Sequence, residues 1–180
     1  MMNNCDDLLP HYNHWLPPVR FYWNSVLKGI IQQIEASPQE LILDFGCGQQ
    51  RLKRCLSSYN IIGYDIIEEC SDVSDYTALR PHTIVCSHIL EHLEMPQLLN
   101  TLDNFNHMAP KFLITALPTE NWLSKISNLF GRPEYLNSDL RPVDHKLKIS
   151  EIHNLLLRYY CLISQENILT LTIISKWKPK

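Results

Sequence analysis

The chain has 180 residues, 45% hydrophobic and 19% charged, with a net charge of −3. That length and apolar content suit one globular domain with its own core. The small negative charge excludes a general attraction to nucleic acid or anionic membrane, and no apolar run approaches the roughly 20 residues that a membrane span needs.

Asn3 to Asp7 are polar and acidic, unlike the basic and then apolar start of an export signal. The six cysteines (Cys5, Cys47, Cys55, Cys70, Cys86 and Cys161) form no C-x-x-C pair and are expected to be reduced thiols of a cytoplasmic protein. Residues 1–36 form an aromatic N-terminal segment and helix. His11 to Arg20 is rich in proline and aromatics, and Tyr12 to Trp23 is a candidate lid. From Phe21 to Glu35 the residues Trp23, Val26, Leu27, Ile30, Ile31 and Ile34 recur at spacings of three and four, which predicts an amphipathic helix.

Leu41 to Phe45 is a short apolar run that stops at glycines, as a buried strand of a parallel sheet does. A helix over Arg51 to Ser58 and a second strand over Ile61 to Asp65 follow. A short third strand is expected around Asp72 to Tyr76, and a β-branched fourth over Thr83 to Ser87. Leu98, Leu102 and Phe105 stripe a helix from Met95 to His107, and Lys111 to Leu117 is the fifth strand. Residues 118–148 read as an acceptor-side insert containing a short helix, Trp122 to Phe130; Asn121, Trp122, Tyr135 and Arg141 are its possible contacts. Ser150 is placed to cap a last helix, and Cys161 to Trp177 alternates as a hairpin turning at Glu166-Asn167. The basic end, Lys176 to Lys180, is expected to fray. Together these elements predict a single-domain α/β three-layer sandwich, with a mostly parallel sheet and a C-terminal antiparallel hairpin.

In such sheets ligands bind beyond the C-terminal ends of the strands, at the switch point. Gly46, Asp65, Asp75 and Ser87 all lie just past predicted strands. Gly46 and Gly48 in Asp44-Phe45-Gly46-Cys47-Gly48 allow backbone angles and a close approach that other residues do not. Asp65, seventeen residues after Gly48, offers a carboxylate to both ribose hydroxyls of a nucleoside. By themselves these two features do not separate NAD, FAD and S-adenosylmethionine (SAM).

Four segments in register resemble class I SAM-dependent methyltransferases of the small-molecule methyltransferase-domain group. They are Leu43 to Gly48, Gly63 to Ile66, Asp72 to Asp75, and Ile84 to Leu93 with its Leu90-Glu91-His92-Leu93 segment. The resemblance implies a Rossmann-like fold, SAM as methyl donor and S-adenosylhomocysteine (SAH) as product. It also implies that Asp44, Gly46, Cys47 and Gly48 line the methionine part and Asp65 holds the ribose. Ile66 would lie on the adenine, Asp75 and Tyr76 at its edge, and Ser87 and His88 under the sulfonium. Each has a plainer reading as well: Asp44 as a turn cap, Cys47 as packing, Asp75 as a solvated loop acid. Two departures stand out. Gln50 occupies a position where the family often has glycine, and the stretch from Asp65 to Asp75 is too short for the usual helix.

His88, His92 and His145 are candidate bases for an oxygen or nitrogen acceptor, because histidine titrates near neutrality. Asp144-His145-Lys146-Leu147 resembles the family's segment on the acceptor side. The acceptor is expected to be small or carrier-linked, with O-methylation preferred and no nucleic-acid partner. His88-Ile89-Leu90-Glu91-His92 also spells H-x-x-E-H, a zinc-protease pattern that requires one continuous helix. A looser use of Glu91 and His92 around a divalent metal is a further alternative. A dinucleotide oxidoreductase is disfavoured, because Arg51 stands where its last glycine belongs. The rival from another class is a non-catalytic SAM-binding module that acts with a protein partner.

Overall fold

A computed structural model describes residues 17–119 and 146–180. The described elements run α1 (Pro17–Gln33), β1 (Ile42–Phe45), α2 (Arg51–Cys55), β2 (Ile61–Tyr64), β3 (Thr83–Ser87), α3 (Met95–Met108), β4 (Phe112–Pro118), α4 (Ile149–Tyr159), β5 (Tyr160–Ile168) and β6 (Thr172–Pro179). Single 3₁₀ turns occupy Glu68–Cys70 and Leu90–His92.

The sheet order is β2-β1-β3-β4-β6-β5. β2, β1, β3 and β4 pair in parallel, while β6 runs antiparallel to β4 and β5 antiparallel to β6. Successive strand residues point to opposite faces, and the core divides accordingly. Leu43, Phe45, Ile84, Cys86, Leu113 and Trp177 pack under α3 and α4. Ile42, Val85, Ile114 and Ile174 pack under α1 and α2. The three-layer α/β sandwich with a mostly parallel sheet and a terminal hairpin is the architecture the sequence predicts.

Helix ends follow local chemistry. α3 starts at Glu94, whose N–H donates to Gln97 Oε1 at 2.9 Å, has Pro96 in its first turn, and ends at Ala109 in the left-handed region. α1 presses Gly29 against the hairpin. A Cβ there would lie 2.6 Å from Ile174 Cδ1 and 3.1 Å from Ile168 Cδ1. Gly29→Ala is therefore expected to cost about 1 kcal/mol, since overpacking by about 1–3 kcal/mol exceeds the helix-propensity gain of about 1 kcal/mol. Thermal melting would show this as a loss of about 2–4 °C.

Several expectations are corrected. No third strand forms over Asp72 to Tyr76. The Asp72 N–H donates to Gly63 O at 2.8 Å and its carboxylate accepts the Gly63 N–H at 2.7 Å. That single residue occupies the edge of β2, and the chain then turns away. The hairpin turns at Leu169-Thr170 instead of Glu166-Asn167; both residues have positive φ, and Leu171 N–H closes the turn on Ile168 O. Burial of Ile168 and Ile174 against α1 overrides the local preference for an Asn turn. α2 stops at Cys55. The C-terminal lysine-rich stretch is not frayed: Trp177 is fully buried and donates to Thr115 Oγ1 at 3.0 Å. Lys176 is also buried, paired with Glu35 and set over the Phe112 ring. Cys70 is disulfide-bonded, so the six cysteines are not all reduced; Cys47, Cys55, Cys86 and Cys161 are free.

Candidate functional site

The parallel strands β1, β2 and β3 end together at Phe45, Tyr64 and Ser87, which brings the glycine turn, Asp65 and His88 to one edge. The turn after β1 is fastened to β2. Gly46 and Cys47 both donate N–H to Tyr64 O, at 2.7 and 3.1 Å. Gly48 N–H donates to Asp65 Oδ2 at 2.9 Å, and Ile67 N–H to Asp65 Oδ1 at 3.0 Å. Two backbone donors therefore fix the Asp65 carboxylate. Each oxygen has a second acceptor site left for a ligand hydroxyl.

Gly46 has φ 77, and a Cβ on it would lie 2.6 Å from Ile89 Cγ1 and 2.8 Å from Ile89 Cβ. Left-handed strain and this overlap each cost roughly 1–3 kcal/mol. Gly46→Ala is accordingly expected to destabilise the fold by about 3 kcal/mol in denaturant unfolding, with Ile89→Ala recovering part of the loss.

Gln50 takes φ 53, the glycine-like conformation, without being glycine. Its Nε2 donates to Cys70 O at 2.8 Å and to Asp72 Oδ1 at 3.3 Å. Cys47 Sγ donates to the same Cys70 carbonyl at 3.3 Å. Burial, then Asp44, Asp65 and Asp72, push the Cys47 thiol far up, so it stays protonated. Lys53 pairs with both Asp72 oxygens at 2.8 Å. Burial raises the Asp72 carboxyl, but Lys53, the Gly63 N–H and Gln50 outweigh that and leave it below the usual carboxylate value. The short stretch after Asp65 is thus tied to the glycine turn by side chains in place of a helix.

Asp44 is the electrostatic centre of the site. It is buried at the end of β1, and no described group hydrogen-bonds its carboxylate. Burial first, then Asp65 and Asp72, push it up from 3.8 to about 7. Such an acid is mostly neutral below about pH 7, and a cation beside it would favour its ionised form.

The other expected site residues spread more widely. Ile66 is 87% exposed at the mouth. Asp75 is exposed, and its Oδ1 accepts from Thr77 N–H and Oγ1. Tyr76 is buried beneath Tyr64, with ring centroids 4.5 Å apart, and contacts Phe45 and Phe105. Ser87 ends β3. His88 follows with φ 52 and donates its N–H to Ala116 O at 2.9 Å. Because His88 lies outside any helix and Leu90–His92 is a single 3₁₀ turn, the zinc-protease pattern lacks the continuous helix it needs. His92 ends that turn and is half-buried. His145 lies outside the described residues, as do Tyr12, Trp15, Asn121, Trp122, Tyr135, Arg141 and the helix expected over Trp122 to Phe130.

Sequence reasoning missed Thr172 and the Tyr22 hydroxyl as site groups, and gave Glu91 only a metal-side role. Glu91 Oε1 lies 3.4 Å from His88 Nδ1, and Thr172 Oγ1 lies 3.2 Å from His88 Nε2. Tyr22 reaches Thr172 across 150 positions of sequence. No local pattern announces such a contact.

No protein-family model and no curated protein matches the sequence. Solved structures do match the fold. A Pyrococcus horikoshii protein aligns over 100% of both chains with a TM-score of 0.70 at 13% identity. The magnesium protoporphyrin IX methyltransferase of Synechocystis, solved with SAH, has a TM-score of 0.63 at 14% identity, over 93% of this chain and 89% of its own. The N-methyltransferase NodS of Bradyrhizobium japonicum, also with SAH, has a TM-score of 0.59 at 13% identity over 98% and 99%. The chain therefore has the Rossmann-like fold of class I SAM-dependent methyltransferases.

Proposed function

We propose that the chain is a SAM-dependent methyltransferase acting on a small or carrier-linked acceptor, with oxygen as the preferred acceptor atom. The observation that carries this reading is the geometry at the ends of β1 and β2: the Gly46–Gly48 turn lies against Asp65, whose carboxylate is fixed by Gly48 N–H and Ile67 N–H, and beside it is Asp44, a buried carboxylate without a hydrogen-bond partner among the described residues. SAM brings an ammonium and a sulfonium, and a cation beside Asp44 would restore its ionised form. The residues present fit that donor. Asp65 would take the ribose hydroxyls on its two remaining acceptor sites, and the turn Gly46, Cys47 and Gly48 would lie along the methionine part. Ile66 offers apolar surface to the adenine; Asp75 would meet the adenine edge, with Tyr76 supporting Tyr64 from below. Ser87 and His88 would face the reacting end.

When bound, the donor supplies a methyl group on a good leaving group. The chain's own task is to align the acceptor and exclude water. His88, His92 and His145 are the proposed candidates for handling the acceptor's proton. Lys146 and Leu147, which follow His145, donate N–H to Glu91 O at 2.8 and 3.4 Å, so that part of the chain is anchored to the Leu90–His92 turn. The preference for oxygen rests on these proton-accepting groups.

Calorimetry with SAM and with NAD, followed by methyl-labelled turnover over a panel of hydroxyl and amine acceptors, tests the reading. One-to-one SAM binding, no heat with NAD, and label transfer are expected. NAD binding in place of SAM would overturn it, and SAM binding with no transfer across the panel would favour a binding module.

A further inference from the structure

Four side chains from three separate parts of the sequence meet in a line beyond the ends of β3 and β4. Glu91 is 1% exposed, and neither of its carboxylate oxygens has a hydrogen-bond partner among the described residues. Its neighbour is His88 Nδ1 at 3.4 Å, an ion-pair contact and not a hydrogen bond. The other ring nitrogen, Nε2, lies 3.2 Å from Thr172 Oγ1, and Thr172 Oγ1 lies 2.5 Å from the Tyr22 hydroxyl. Trp23 meets the imidazole edge-on, with centroids 5.0 Å apart. The backbone bends for this arrangement, since His88 holds a left-handed φ of 52. A strained backbone beside a site, holding a linked set of polar side chains, points to function. The line also adjoins the glycine turn, because Ile89, next to His88, packs on Gly46.

We propose that this line is the acceptor's base: the Tyr22 hydroxyl takes the acceptor's proton and passes its own through Thr172 to His88, whose positive charge Glu91 balances. The proposal rests on the methyltransferase reading and assigns the proton acceptor which that reading leaves among three histidines.

The protons balance. As the acceptor oxygen gains its methyl group, its proton moves to Tyr22 Oη. The Tyr22 proton moves to Thr172 Oγ1, and the Thr172 proton to His88 Nε2. Both hydroxyls end with one proton each, as they began, and the imidazole ends with one more, which solvent later removes. The relay requires a neutral ring carrying its proton on Nδ1, which leaves Nε2 free to accept from Thr172, and places Glu91 Oε1 3.4 Å from the protonated nitrogen. Burial first, then the charge of Glu91, push the Tyr22 phenol up, while its bond to Thr172 pulls it down. Free ionisation of Tyr22 is therefore opposed, and its proton leaves as its oxygen gains a new bond, to a proton or to another electrophile.

A relay of this kind makes the Tyr22 oxygen nucleophilic, which a purely structural tyrosine is not. The full chain is treated with phenylmethanesulfonyl fluoride and labelling is mapped by mass spectrometry. The tyrosine oxygen bonds to sulfur, fluoride leaves, and the phenol proton goes to His88 through Thr172. Tyr59, also half-buried, is the internal reference. Tyr22 is expected to label about a hundredfold faster than Tyr59, the low end of general-base effects. His88→Asn, which tolerates the left-handed φ, and Thr172→Val should abolish that advantage, and Thr172→Ser should restore it. A Tyr22 rate no greater than that of Tyr59, or an advantage unchanged in Thr172→Val, would overturn the proposal. SAH titration of the unaltered protein reports on the donor reading separately, so the two failures are distinguishable.

Discussion

Asp44→Asn should melt at a higher temperature than the unaltered protein in ligand-free buffer at pH 8, and bind SAH about tenfold to a hundredfold more weakly. Burial, Asp65 and Asp72 raise the Asp44 carboxyl from 3.8 to about 7. Between those values the folded protein holds a proton that the unfolded chain has released. Stability therefore falls as pH rises through this window and levels off above about 7. Asparagine has no charge to bury, so its advantage should be absent near pH 4 and fully present by pH 7. The pKa difference sets an upper limit of about 4 kcal/mol. A gain of about 2 kcal/mol, or roughly 4–8 °C in a chain of this size, is the expected result. The loss in affinity comes from removing a charged partner of the ligand ammonium, worth about 1.5–3 kcal/mol. The pH dependence of binding has the opposite sign. Since the cation needs ionised Asp44, SAH affinity should rise about tenfold per pH unit up to about 7 and then flatten. Binding below pH 7 should release a proton, which calorimetry in two buffers of different ionisation enthalpy measures. A stability gain without loss of affinity would leave Asp44 as a strained structural acid and nothing more.

Asp65→Ala carries the largest expected loss of donor affinity, about a hundredfold or more. The carboxylate would give the ribose two charge-assisted hydrogen bonds, each worth about 1.5–3 kcal/mol. It also holds the turn, through Gly48 N–H at 2.9 Å and Ile67 N–H at 3.0 Å. The substitution should therefore speed amide exchange at Gly48 and Ile67 even without ligand. Asp65→Asn keeps one acceptor oxygen and should fall between the two proteins in affinity. Calorimetry with SAM and hydrogen exchange separate the two effects: loss of affinity with the exchange unchanged assigns the residue to the ligand alone.

The parallel half of the fold was legible because Ile42 to Phe45 and Thr83 to Cys86 are buried on both faces and read as largely apolar runs. The glycine turn and Asp65 were legible because their chemistry is local: two left-handed glycines, then an acid at a strand end. The stretch from Asp65 to Tyr76 was not. Its course depends on Gln50, Cys47 and Lys53 reaching across to Cys70 and Asp72. The hairpin turn was misplaced because Asn167 is the better turn former locally, while burial of Ile168 against α1 decides the register. Tyr22, Thr172 and Glu91 were invisible as a set, because only the pairing of β6 with β4 sets Thr172 opposite Pro118 at the strand ends near His88.

A crystal structure of the protein soaked with SAH tests the central claim most directly. The ribose hydroxyls should lie within hydrogen-bond distance of both Asp65 oxygens, the ammonium beside Asp44 and the adenine against Ile66. SAH bound away from the Gly46 to Gly48 turn, or ordered there with Asp44 and Asp65 making no contact to it, would contradict the account.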